Sequence, residues 1–313
     1  MQPYAEPEKH EPTYSYSDCL EKSYRVNWTI HDLIEGQQFD LTRRWLPVKL
    51  SAANGLTCLT EDEKTRLTHV EMGAYAHLFG FVEEFIAPQM SMLALDFKID
   101  NREGFDALTN FAAEEVKHMN LFRAIRRMVD STIGTPLTLL GNEKDVARFV
   151  LSKNTGAVLL LTAAIEWFTQ LHYTEAFKDD ESLDAFTKRI FKFHWLEESQ
   201  HARMDHLETL RAFKRMTDDE KDQAINDLIE LAGAVDGLLQ QQAKFDVQNL
   251  EKCLGRTFKS AEADEVYSGE LRAKRYCFLE SGVTHPNFLK IFGAVTNPAQ
   301  QARVQTALKP ILG

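Results

Sequence analysis

Apolar and polar positions recur along most of the chain at steps of three and four, the spacing at which residues line one face of an α-helix. Leu108, Phe111, Glu115, His118, Phe122 and Ile125 form one such stripe and predict a helix from about Arg102 to Val129. An earlier helix opens at Thr60-Glu61-Asp62-Glu63, where the threonine can cap the helix and the glutamate three residues later can reach back to the cap N–H. It is expected to run to about Ala87, where Pro88 interrupts or kinks it. A loop with Gly134, Pro136 and Gly141 comes next, then a third helix over roughly Glu143 to Phe177 and a fourth over roughly Ser182 to Met216. Thr217-Asp218-Asp219-Glu220 repeats the capping signal and starts a fifth helix towards Asn249, with two or three more before the end. Hardly any segment alternates apolar and polar over strand lengths, so the fold class is all-α, and no repeat points to a solenoid.

The chain divides on this pattern into three parts: residues 1–59, 60–216 and 217–313. The first is an N-terminal arm leading into irregular chain with short helices, since Pro3, Pro7 and Pro12 precede about residue 25, and Pro47 and Gly55 break the stretch from there to residue 59. The second is a four-helix bundle, and the third is a set of C-terminal helices packed on it. With 313 residues, 44% hydrophobic and 27% charged, the chain has the composition of a folded globular protein. A net charge of -11 repels phosphate backbones and argues against nucleic-acid binding. The start lacks the basic and apolar regions of a secretory signal. The strongest apolar stretch, Ala157 to Ile165, falls far short of the roughly 20 residues a membrane span needs. Cys19, Cys58, Cys253 and Cys277 form no C-x-x-C pair and suggest neither a zinc cage nor a disulfide framework, so a cytoplasmic location is expected.

Two Glu-x-x-His motifs carry the candidate chemistry, Glu115 to His118 and Glu198 to His201. Residues three apart project from one helix face, so a carboxylate and an imidazole can bind one metal side by side. One such motif alone is ordinarily a solvated pair. Here, however, His118 shares its stripe with Leu108, Phe111, Phe122 and Ile125, so the pair points into the apolar side of its helix. Each motif is also preceded by a glutamate 32 residues earlier, Glu83 before Glu115 and Glu166 before Glu198. Antiparallel hairpins would bring each single glutamate level with its motif, and two hairpins would then face each other across a core.

Glu166 follows Leu159-Leu160-Leu161-Thr162-Ala163-Ala164-Ile165, where an isolated carboxylate would be costly to bury. In the first helix, equal spacing and the neighbours Phe79, Ile86 and Met90 favour Glu83 over Glu84, whose neighbours include His77 and Ser91. Four ionised glutamates repel in a low-dielectric core, and two divalent cations cancel that charge. Oxygen-rich donors with imidazole suit iron or manganese. His194, four before Glu198 and seven before His201, shares their face, either as a seventh protein ligand or as a hydrogen-bonded core histidine. Asp205 reads as a solvated residue, with a hydrogen bond to the His201 ring as the alternative. His69, His77, His172 and His206 read as structural or exposed, and Arg123, Arg126 and Arg127 as a solvated face.

The set Glu83, Glu115-x-x-His118, Glu166 and Glu198-x-x-His201 resembles the ferritin-like di-iron carboxylate superfamily. The order His194-x-x-x-Glu198-x-x-His201 is similar to the arylamine N-oxygenase branch, typified by the para-aminobenzoate N-oxygenase, which carries an extra histidine ligand. The doublet Glu114-Glu115 and the stretch Val82 to Ala87 agree, and the likeness covers roughly Thr60 to Arg211.

The resemblance implies a ferritin-like four-helix bundle that holds two iron ions, with Mn/Fe as the other option. The metal ligands it implies are Glu83, Glu115, His118, Glu166, His194, Glu198 and His201. It also implies reaction with O2 to give a peroxo-level di-iron(III) oxidant that attacks a small organic substrate, such as an arylamine nitrogen. Electrons would come from an external donor of the ferredoxin/reductase type, and a homodimer is consistent with the family. Aromatic residues Phe79, Phe111, Phe122, Trp167, Phe168, Phe191 and Trp195 are expected in the core, where they can wall a dry pocket. Competing classes are a hydroxylase or desaturase, a radical-generating subunit like that of ribonucleotide reductase, and a non-enzymatic iron-binding protein. Phe122 stands where the radical-generating class usually has tyrosine, which weakens that reading.

Overall fold

The computed structural model describes residues 12–97 and 100–312. The start of the predicted N-terminal arm, with Pro3 and Pro7, lies outside the described residues. In chain order the helices are α1 (Tyr16–Val26), α2 (Ile30–Ile34), α3 (Glu61–Ala94), α4 (Arg102–Ile133), α5 (Glu143–Leu151), α6 (Thr155–His172), α7 (Ala185–Arg215), α8 (Asp218–Leu254), α9 (Ser260–Arg275), α10 (Ser281–Val283), α11 (Pro286–Val295) and α12 (Pro298–Leu312). Among the described residues there is no strand, and no helix is long and apolar enough to cross a membrane.

The helices begin where side chains can satisfy the free N–H groups of a first turn. Thr60 and Thr217 form reciprocal capping boxes with Glu63 and Glu220, as the sequence predicts. Asn101, Asn154 and Asp184 cap α4, α6 and α7. Helix α8 ends at Gly255, whose φ of 65° is a left-handed conformation that glycine adopts without strain.

Three expectations are corrected. Helix α3 does not stop at Pro88 but continues to Ala94. A proline inside a helix costs about 3 kcal/mol, and the buried neighbours Phe85, Ile86, Ala87, Gln89 and Met90 offset that by packing on both sides. The single helix expected over Glu143 to Phe177 is two, α5 and α6, separated at Ser152 to Asn154, because the Asn154 side chain accepts from the Gly156 N–H and restarts the helix. It then ends in a π-helical turn, Tyr173–Phe177. The arm expected to wander up to about residue 25 forms α1, nucleated by a Ser15–Asp18 capping box and lying along α7 and α4.

Helix α3 packs chiefly along α4, and α6 along α7. These two hairpins make a ferritin-like four-helix bundle. Helix α8 covers α6 and α3, and α9 to α12 close over α6, α7 and α8. The final layer approaches α6 at backbone distance, since a Cβ added at Gly282 would stand 2.4 Å from the Ala164 carbonyl oxygen. Gly282→Ala is therefore expected to force the layers apart and cost about 1–3 kcal/mol. In urea unfolding this would appear as a lower midpoint at unchanged slope, and an unaltered midpoint would refute the close approach.

Candidate metal centre

Because α3 pairs with α4 and α6 with α7, the inward face of each helix carries its acidic and imidazole groups to a common level. Glu83 comes from α3, Glu115 and His118 from α4, Glu166 from α6, and His194, Glu198 and His201 from α7. None of the seven is more than 3% exposed. One donor atom from each of Glu83, His118, His194 and Glu198 lies within 4.8 Å of the others, and so does one from each of Glu115, His118, Glu198 and His201.

Glu198 is common to both groups. Its Oε1 is 2.5 Å from His194 Nε2 and 3.0 Å from His118 Nδ1, while its Oε2 is 2.7 Å from His201 Nδ1. Glu115 Oε1 is 2.6 Å from the same His201 nitrogen, and Glu83 Oε1 is 3.6 Å from His194 Nε2. Glu166 lies against Glu198. Glu84, the alternative in the first helix, faces the other way and pairs with Arg123.

The other nitrogen of each motif histidine is held by a glutamate to which the sequence pattern gave no role. His118 Nε2 meets Glu197 Oε2 at 2.8 Å, and His201 Nε2 meets Glu114 Oε2 at 2.9 Å. Each of these glutamates stands immediately before the motif glutamate of its own helix and reaches the histidine of the other helix. The available signal was the pair of doublets, Glu114-Glu115 and Glu197-Glu198, one helical turn before His118 and His201. A carboxylate on Nε2 keeps a proton there and turns Nδ1 inward as the donor to a metal.

Asp205 is corrected on both counts, being neither solvated nor bonded to His201. It is fully buried and neither carboxylate oxygen has a hydrogen-bond partner. Glu114 has already taken the outer nitrogen of His201, and burial pushes the Asp205 carboxyl well above its usual range.

Electrostatics shows how the residues share protons. Burial, followed by the charges of neighbouring carboxylates, pushes Glu83 and Glu166 well above the normal carboxylate range. Burial acts to raise Glu198 as well, but the three surrounding imidazoles outweigh it and hold this group well below the range. Burial lowers the basicity of His118 and His201, yet Glu198 and the other facing carboxylates outweigh that and raise both. For His194 burial prevails, and its basicity falls.

Both oxygens of Glu83 and one of Glu166 have no hydrogen-bond donor. Buried acceptors are rarely left so, and a donor set of four carboxylates and three imidazoles fits two divalent ions of the iron or manganese type. A second buried acidic cluster gives the contrast. Asp246 and Glu270 lie 2.5 and 2.8 Å from Lys274 Nζ, with Glu71 beside them, so that cluster carries its own cation.

Rings close over the donors. Phe111 stacks on His201 at 3.8 Å and Trp28 on His118 at 5.8 Å, while Phe79 and Phe122 meet His194 edge-on at 5.2 and 4.9 Å. Phe168 and Phe191 adjoin Phe79. Trp167 and Trp195 do not join this wall; they stack on His285 and Tyr173 on the outer side of their helices. His69 and His77 bond backbone carbonyls, and His206 bonds Tyr14, all in structural roles.

Residues 26–249 match the family of the p-aminobenzoate N-oxygenase AurF. No curated protein matches the chain. Among solved structures, the chain is similar to a variant of an R2-like ligand-binding oxidase with aerobically reconstituted Mn/Fe cofactor. The identity is 14% and the TM-score 0.42, over 84% of this chain and 93% of that one. It is also similar to another such variant with anaerobically reconstituted Mn/Fe cofactor, at 14% identity and a TM-score of 0.38 over the same shares.

If Glu166 is an isolated acid in an apolar helix, replacing it by an apolar side chain of similar length should relieve the core. Glu166→Met is expected to stabilise the chelator-treated protein by about 1–3 kcal/mol in urea unfolding. A loss of stability would mean that the carboxyl group is satisfied without a metal.

Proposed function

The chain belongs to the p-aminobenzoate N-oxygenase AurF family, and from that premise we propose that it is an O2-activating di-iron oxygenase that oxidises the nitrogen of a small arylamine. The observation that carries this reading is the convergence of Glu83, Glu115, His118, Glu166, His194, Glu198 and His201 in one buried place with no lysine or arginine among them. These seven residues would hold the ions. Two irons bound there would supply the reducing equivalents and open coordination positions at which dioxygen is activated.

The protein's own part is to prepare that place. Glu114 and Glu197 hold the outer nitrogens of His201 and His118, which orients the inner nitrogens before any metal arrives. Glu83 and Glu166 would have to give up protons to bind the ions, so binding should be tighter at higher pH until metal hydrolysis intervenes. Phe79, Phe111 and Phe122 exclude water, so that oxidising equivalents go to substrate and not to solvent. An external electron donor would supply the further electrons the reaction needs, and a homodimer is the proposed assembly. All four cysteines are free, which suits a reducing compartment such as the cytoplasm.

Anaerobic loading with ferrous iron should give about two irons per chain by metal analysis. With an arylamine and isotopically labelled dioxygen, the labelled oxygen should appear on nitrogen in the product. Label on carbon would redirect the reading to a hydroxylase, and iron stoichiometry near zero would remove the centre altogether. Glu114→Gln and Glu197→Gln should each weaken iron binding about 10–100-fold without unfolding the protein.

A further inference from the structure

One buried tyrosine lies a single ring away from the donor cluster. Tyr75 is on α3, two turns before Glu83, and is 3% exposed. Its ring meets Phe79 at 4.9 Å, and Phe79 meets His194 at 5.2 Å. On its other side, the Tyr75 hydroxyl is 2.6 Å from His172 Nδ1, His172 Nε2 is 2.9 Å from the Ser281 hydroxyl, and Ser281 donates to the Cys277 carbonyl at 3.1 Å.

The direction of these hydrogen bonds is set at their far end. Ser281 has one proton and gives it to a carbonyl, so His172 must donate from Nε2. Nδ1 is then left bare to accept from the phenol. Burial lowers His172 to about 3, so the ring is neutral and Nδ1 open at ordinary pH. Burial also drives the Tyr75 hydroxyl up, which forbids a phenolate there. Beyond His172 the ring of Tyr276 lies stacked at 6.5 Å, and Tyr276 lines a surface hollow with Lys49, Arg272 and Glu280. The rings of His194, Phe79, Tyr75, His172 and Tyr276 therefore run as a continuous series from the donor cluster to the surface.

We propose that Tyr75 and His172 form a one-electron relay that drains an oxidising equivalent from the metal centre when no substrate is present to consume it, and pass it to Tyr276. The relay rests on the binuclear centre proposed for this family member. Dioxygen, reduced at the ferrous centre, is the source of the oxidising equivalent. Tyr75 gives one electron to the oxidised centre, which is reduced by one. Its O–H bond breaks and an N–H bond forms at His172 Nδ1, leaving a neutral tyrosyl radical and an imidazolium. Moving proton and electron together avoids a phenol radical cation, a far stronger acid than the imidazolium that receives its proton. Tyr276 then supplies an electron to Tyr75 and releases its own proton to water, and Tyr75 recovers its proton from His172. A thiol or other one-electron reductant in solution restores Tyr276.

A tyrosine that only props α3 against the π-helical turn Tyr276–Glu280 would make the same hydrogen bonds but would never lose an electron. The test uses the full chain loaded anaerobically with ferrous iron, the iron counted first. It is mixed with O2 without amine, freeze-quenched and read by electron paramagnetic resonance. A tyrosyl signal is expected, narrowed by ring-deuterated tyrosine and lost in Tyr75→Phe at unchanged iron content. His172→Asn should slow its formation and Tyr276→Phe should prolong its life. A loaded protein with no tyrosyl signal, or with one that survives Tyr75→Phe, overturns the relay while leaving the binuclear centre standing. If no iron binds, the binuclear reading fails separately. The pair is then tested in metal-free protein by flash oxidation with a ruthenium polypyridyl complex. A long-lived radical absent from Tyr75→Phe supports it, and no difference between the two proteins overturns it.

Discussion

Four carboxylates gathered in a space that excludes water repel each other with little screening, and the rest of the bundle is arranged around that repulsion. Among the described residues no lysine or arginine forms an ion pair with Glu83, Glu115, Glu166 or Glu198; the groups that face them are three imidazoles. Imidazole can be a cation or a neutral donor, which makes it a counter-charge that withdraws when a metal enters. The buried cluster of Glu71, Asp246, Glu270 and Lys274 meets the same problem with an ammonium group of its own, and so ties α3, α8 and α9 together. One molecule thus contains a buried acidic cluster with a fixed cation of its own and one faced by imidazoles.

The bonds from Glu114 to His201 and from Glu197 to His118 join fold to chemistry. Each runs between the hairpins, so they fix the register of α4 against α7 as well as the orientation of the imidazoles. A slip of one residue along either helix would part all of these pairs together. The orientation of the inner nitrogens is therefore as secure as the packing of the bundle, a condition for any site that must hold its geometry through a reaction. Phe111 and Trp28, stacked on the same two histidines, oppose rotation of the rings.

The C-terminal helices have a part in this beyond covering α6. The π-helical turns Tyr173–Phe177 and Tyr276–Glu280 lie near the end of the bundle where Tyr75, His172 and Ser281 are hydrogen-bonded. A π-turn widens the helix and redirects the side chains after it, and such turns are frequent at functional sites. Phe278, within the second of these turns, meets the rings of both Tyr75 and Phe79.

Much of this was legible in the sequence because it is local. Capping boxes at Thr60 and Thr217, the apolar stripe through Phe111, His118 and Phe122, and the equal spacing of the two Glu pairs depend on neighbours within a few turns, and they were enough to infer an all-α bundle of two facing hairpins. They also favoured Glu83 over Glu84, since a helix face is a matter of period. What period cannot convey is which face meets which across the core. That α3 passes through Pro88, that Glu114 and not Asp205 takes His201, that Trp167 and Trp195 turn outward, and that His172 faces Tyr75 are all consequences of register between helices far apart in the chain. Register is set by the sum of many packing contacts, and only the assembled tertiary structure performs that sum.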